Sequence, residues 1–140
     1  MKFTRVFVPI DFSEASLEAF KLAKERFAGS GNTLTLLHVI ESGLGLVEPQ
    51  NELRLADIES CRHRLASLGK TQSGAWKEVS TQVEAGKPVD CILDTAHREG
   101  AELVIMGSHG TGGLRKALFG STTYDVARKL KCSVMVTKAS

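Results

Sequence analysis

"AELVIMGSHGTGGLRKALFGSTTYDVARKL", residues 101–130, reads as a strand, a glycine-rich connection and a helix in direct succession. Residues 101–107 form a short apolar run with β-branched members, the pattern of a strand covered on both faces. Gly107, Gly110, Gly112, Gly113 and Gly120 then crowd one connection. Glycine loses more conformational freedom on folding than any other residue, so such a cluster marks either a plain loop or a backbone shape that cradles an anion. From Ser121 the spacing is helical, and a helix N-terminus presents unpaired N–H groups and the positive end of a dipole, which suit phosphate. Ser121, Thr122 and Thr123 place hydroxyl donors at that point, and Arg115 and Lys116 bring positive charge to the loop.

The same alternation extends in both directions. "RVFVPI" (5–10) is a buried strand closed by Pro9 and Asp11. "SEASLEAFKLAKERFAG" (13–29) follows as a helix, with Ser13 as N-cap, Gly29 just past its end, and Ala19, Phe20, Ala23 and Phe27 on its buried face. "LTLLHVI" (34–40) is a second strand, and 41–51, with Gly43, Gly45 and Pro49, reads as a loop. Ile58, Cys61, Leu65 and Leu68 repeat at helical spacing until Gly69, which is read as the stop. Residues 76–86 carry Val79, Thr81 and Val83 on alternate positions, as a half-buried strand does. Pro88 opens a third helix striped by Val89, Ile92, Leu93 and Ala96, which Gly100 ends. "SVMVTK" (133–138) is the last strand.

Strand and helix therefore alternate from end to end, which predicts one α/β domain over 1–140: an open, mostly parallel five-stranded sheet with helices on both faces. The bulk numbers agree. The 140 residues are 42% hydrophobic and 24% charged, enough apolar material for one core. Eighteen basic and sixteen acidic residues, in mixed order, leave a net charge of +2, so no polyanion-binding face and no nucleic-acid partner is expected. Cys61, Cys91 and Cys132 make an odd count without a C-x-x-C pair, the usage of reduced thiols in the cytoplasm. No apolar run approaches the roughly 20 residues of a membrane span, and the N-terminus lacks a signal-peptide layout.

Ligands of open parallel sheets bind at the carboxyl ends of the strands, where the strand order reverses. Two strand ends here carry unusual chemistry: "PIDFS", which offers Asp11, and "MGSHG". Neither G-x-x-x-x-G-K-[ST] nor G-x-G-x-x-G after the first strand is present. Instead Gly107-Ser108-His109-Gly110, nine residues, then Gly120-Ser121 spell G-x-x-G-x9-G-[ST]. This spacing resembles the nucleotide-binding branch of the universal stress protein family. The likeness covers essentially the whole chain: "FVPIDFSEAS", "LLHVIE", "VEAGKPVDCILDTAHREGAELVIMGSHG" and "KCSVMVTK" are similar to the family's blocks in the family's order.

The resemblance implies a sheet of order 3-2-1-4-5, like that of adenine nucleotide alpha hydrolases. It implies an adenine nucleotide, ATP or a relative, at the adjoining ends of the first and fourth strands, with Mg2+ carried in by the phosphates. By position, Pro9 and Asp11 would meet the nucleoside and Val39 the adenine through its main chain. Met106, Gly107, His109, Gly110, Gly120, Ser121, Thr122 and Thr123 would complete the nucleotide site. The family also dimerises, and Val134, Met135 and Val136 fit the edge strand that would pair with its twofold mate. Two departures stand out. Ser133 occupies a place where the family often has Pro, and Thr122 and Thr123 follow Gly-Ser where hydrophobic residues are common.

The remaining chemistry is sparse. His38 lies inside a strand pattern and is read as a satisfied core histidine; His63, His97 and His109 show no metal-ligand spacing. No nucleophile–base pair has a signature, and no residue stands out to orient an attacking water. The expectation is a cytoplasmic, homodimeric regulatory module that binds ATP and signals to an unidentified protein partner. A slow ATPase or phosphotransferase and a nucleotide-free dimerisation module are the alternatives.

Overall fold

The computed structural model describes residues 2–41, 51–108 and 120–138, with only the backbone at 51–54. Strands β1 (Arg5–Pro9), β2 (Thr33–Glu41), β3 (Glu78–Gly86), β4 (Leu103–Gly107) and β5 (Ser133–Thr137) alternate with helices α1 (Glu14–Phe27), α2 (Asn51–Lys70), α3 (Pro88–Arg98) and α4 (Ser121–Lys129). All five strands pair in parallel in the order β3-β2-β1-β4-β5. β3 and β5 are the edges, and the order reverses between β1 and β4.

The near-continuous apolar strands have their reason in two cores, one on each face of the sheet. Alternate side chains separate them. Val6, Val8, Leu34, Leu36, Leu103 and Ile105 pack with Ala19, Phe20 and Ala23 of α1 and Leu65 of α2. Phe7, Leu37, Val104 and Met106 face the other way, against Ile92 and Ala96 of α3 and Val126 of α4. A one-residue slip of any central strand would exchange these two sets.

Two local expectations are corrected. α2 does not stop at Gly69 but runs to Lys70. Gly69 is there because the helix lies so close to β3 that a Cβ would stand 2.8 Å from the Thr81 methyl. Thr81 itself is exposed, whereas Val79 and Val83 are half-buried, because β3 is an edge strand only partly covered by α2. Helix ends otherwise follow their chemistry. Ser13 caps α1 by accepting the Ser16 N–H at 3.2 Å, and Pro88 occupies the first turn of α3.

Candidate functional site

A cleft of about 370 Å³ opens at the carboxyl ends of the strands, across the β1/β4 reversal. That volume falls within the roughly 300–1,000 Å³ of small-molecule sites. Its walls are the ends of β1, β2 and β4 and the first turns of α3 and α4.

The β1 side is a tightly wired corner. Ile10 donates its N–H to Leu37 O at 2.7 Å, continuing the ladder one residue past β1. Its carbonyl then accepts from His38 Nδ1, also at 2.7 Å, so the imidazole takes the place of the next ladder bond. A carbonyl oxygen can only accept, which puts a proton on Nδ1. The chain turns away at Asp11, whose Oδ1 accepts the Ser13 N–H at 2.9 Å, while its own N–H donates to Ser16 Oγ at 3.3 Å. Between them Phe12 adopts φ +63°, the one non-glycine residue with positive φ among those described. That conformation costs a bulky residue about 1–2 kcal/mol. Its ring has two close partners: the His38 ring centroid lies 4.9 Å away, and the Arg64 guanidinium of α2 sits 3.9 Å from the Phe12 centroid.

The β4 side is built by close approach. A Cβ on Gly107 would lie 2.7 Å from the Ala15 backbone carbon and 2.8 Å from the Ser16 nitrogen. Gly107 is therefore a glycine because the start of α1 rests directly on the end of β4. Thr123, buried in the first turn of α4, donates its hydroxyl to Gly107 O at 2.8 Å. The Gly120 N–H donates to Ser108 O at 2.6 Å, and the Ser108 N–H to Thr137 O at 2.7 Å, so α4, β4 and β5 meet at one point.

What remains is the start of α4. Its N-cap, Gly120, has no side chain to cap with, and its first turn holds no acidic residue. The N–H groups of Ser121, Thr122 and Thr123 have no intrahelical acceptor and carry the positive end of the helix dipole. All three residues line the cleft. The side opposite carries carboxylates, Asp11 and Glu41. The cleft is thus polarised: donors and positive dipole at α4, acceptors at the β1–β2 end.

Pro9, Asp11, Val39, Met106, Gly107, Gly120, Ser121, Thr122 and Thr123 all line this cleft. His109 and Gly110, with Arg115 and Lys116, lie outside the described residues. The expectation for Thr123 changes in one respect, since its hydroxyl is engaged with the Gly107 carbonyl. His38 is satisfied, as its strand pattern predicts, but it lies half-buried at the cleft rather than in the core. Sequence reasoning missed Glu41, Pro88 and Ile92 as cleft residues. Pro88 gave the one available signal, because a helix starting after a parallel strand begins at the same end of the sheet as the site.

None of the shifted titratable groups is among the residues lining the cleft. Burial, then Glu84, Asp94 and Asp90, push the Cys91 thiol up; burial does the same at Cys132. The Thr4 hydroxyl and N–H hold Glu102 below the usual carboxylate range. Among the described residues no three His, Cys, Asp or Glu side chains converge to hold a metal, and no helix is long and apolar enough to cross a membrane.

A model of the universal stress protein family matches residues 2–138. The universal stress protein MJ0577 of Methanocaldococcus jannaschii is 29% identical over 97% of this chain and 95% of its own length. The solved structure of MJ0577 superposes with a TM-score of 0.87, covering 100% of this chain and 99% of that one. A universal stress protein in complex with cAMP (TM-score 0.72, 23% identity, all of both chains) shares the fold. So does an Arabidopsis thaliana family protein with AMP bound (TM-score 0.66, 20% identity, 98% and 92% of the two chains).

Proposed function

This chain belongs to the universal stress protein family, and we propose that it binds an adenine nucleotide, ATP or a close relative, in the cleft across β1 and β4. The observation that carries this reading is the polarity of the cleft. First-turn N–H groups at Ser121–Thr123, with no side-chain cap from Gly120 and no acidic residue in the first turn among the described residues, suit the phosphates. Asp11 and the main chain at Val39 suit the donors of a nucleoside at the other end. Two proteins of the same fold carry cAMP and AMP, so the architecture accommodates such ligands. Magnesium would arrive on the phosphates and keep most of its waters, as that ion prefers.

Dimerisation through β5 belongs to the same reading. Val134, Met135 and Val136 are only half-buried on an edge strand, the kind of edge that another strand covers. The three cysteines are free, which suits the cytoplasm. As a regulatory module, the protein would work by having ligand favour one state of a surface that a partner reads. Native mass spectrometry of freshly purified protein, before and after ATP with magnesium, tests the proposal. A dimer carrying one nucleotide mass per subunit is the expected result, and its mass reports whether ATP becomes ADP. A dimer that stays empty at millimolar ATP would overturn it.

A further inference from the structure

We infer that Arg64 is a positioning residue of the cleft, acting through the ring of Phe12; this rests on the nucleotide-binding reading above. Arg64 lies on the outer, exposed side of α2 and does not line the cleft. Its guanidinium nonetheless sits 3.9 Å from the centroid of Phe12, the residue whose φ of +63° creates the corner that carries Asp11. Left alone, a phenylalanine disfavours that backbone conformation, so the contacts of its ring help hold the corner, alongside the hydrogen bonds of Asp11 with Ser13 and Ser16. One ring contact is His38, tethered to Ile10 O at 2.7 Å and 4.9 Å from the ring; another is Arg64.

Everything downstream of Phe12 depends on that turn. Asp11 Oδ1 receives the Ser13 N–H, Ser13 caps α1 through Ser16, and Ser16 Oγ accepts the Asp11 N–H and donates to Ser13 O. Releasing the ring lets Phe12 relax toward negative φ, which swings Asp11 relative to β4 and the α4 N-terminus. The cleft then loses its fixed separation between the carboxylate end and the phosphate end. Because α2 follows the segment 42–50 in the chain, the same stack links that helix to ligand affinity.

The prediction is specific to a cation over a ring. Arg64→Ala weakens ATP binding by up to about three- to fivefold, the measure of a cation–π contact at an exposed site, and lowers folding stability by no more than that same contact. Arg64→Lys recovers most of the affinity. Phe12→Leu keeps an apolar side chain against the core but offers no ring face, so it weakens binding similarly. Adding Arg64→Ala to it then costs nothing more, a non-additivity that a merely structural role would not produce. The His38 ring proton resonances report the corner directly and shift in Arg64→Ala without any ligand. The experiment is calorimetric titration of full-length wild-type, single and double variants with Mg-ATP, alongside histidine NMR spectra. Wild-type protein that fails to bind ATP overturns the functional reading and this inference with it. Wild-type binding matched by Arg64→Ala, or additive losses in the double variant, overturns the positioning role alone.

Discussion

The two ends of the sheet treat exposed backbone donors in opposite ways. At the amino ends of the strands, the Thr4 and Arg5 N–H groups have no ladder partner, and the chain supplies its own anion. Glu102 accepts from Thr4 N at 2.8 Å, Thr4 Oγ1 at 2.7 Å and Arg5 N at 3.0 Å. At the carboxyl ends, the first turn of α4 presents three N–H groups, and among the described residues neither a cap side chain nor a first-turn acid answers them. Unmade hydrogen bonds are expensive unless water or ligand takes their place. Among the described residues such donors are satisfied internally at one end and face a cleft at the other, and the proposed binding end rests on that difference.

The largest effect is expected where that binding end is set by contact between backbones. Gly107→Val places side-chain atoms against Ala15 and Ser16 and lifts the start of α1 from β4. Urea unfolding should show a loss of about 3 kcal/mol, the upper range for overpacking a tight site. A stability near wild type would mean that α1 moves freely over β4, and the fixed cleft would have to be abandoned.

Thr123→Val comes next. It keeps the shape of the side chain but leaves the Gly107 carbonyl without its hydroxyl donor, at a cost of about 1–2 kcal/mol by the same measurement. Loss of nucleotide affinity without loss of stability would instead show the hydroxyl serving the ligand, the role its sequence position had implied.

The contrast between Gly107 and Thr123 shows what the sequence made legible. Element order and helices on both faces follow from residue period and from Pro88 and Ser13, which act locally and are readable without neighbours, whereas the strand order came only from the family resemblance. The cleft was legible at the ends of β1 and β4 because Asp11 and the Gly-Ser start of α4 are chemically unusual there. The reasons behind individual residues were not legible. Gly69 looks like a helix stop yet is a contact with β3, and Gly107, which lines the cleft, is also a close contact with α1. Phe12 gave no hint of φ +63°, because that conformation is imposed by His38 and Arg64, which come 26 and 52 residues later in the chain. Close approaches and imposed backbone shapes are properties of pairs of elements, and single-chain periodicity does not encode them.

Making the two ends alike is the most direct way to break the comparison. Ser121→Asp gives α4 the first-turn acid it lacks, as Glu102 serves the other end. Stability should rise by about 0.3–1 kcal/mol through the helix dipole, while ATP affinity falls about tenfold because the carboxylate occupies the phosphate's place. Opposite signs in urea unfolding and calorimetry are the expected pair of results. Unaltered ATP affinity in a more stable variant would show that phosphate does not bind at α4.

The smallest effect concerns the structural end and is visible only with pH. Hydrogen bonds from Thr4 and Arg5 lower the Glu102 pKa in the folded protein. A depressed carboxylate contributes stability above its unfolded pKa and loses that contribution as pH falls through the folded value. The window therefore begins near the ordinary carboxylate range and extends below it. Glu102 is fully exposed, so solvent screens the effect and its amplitude is modest. Glu102→Gln retains a carbonyl that accepts hydrogen bonds but cannot titrate. Wild-type and variant urea midpoints should therefore differ at neutral pH and converge as pH drops through this window. Equal midpoints at every pH would show that the charge of Glu102 adds nothing to the hydrogen bonds at the strand starts, and the idea that this end supplies its own anion would fall.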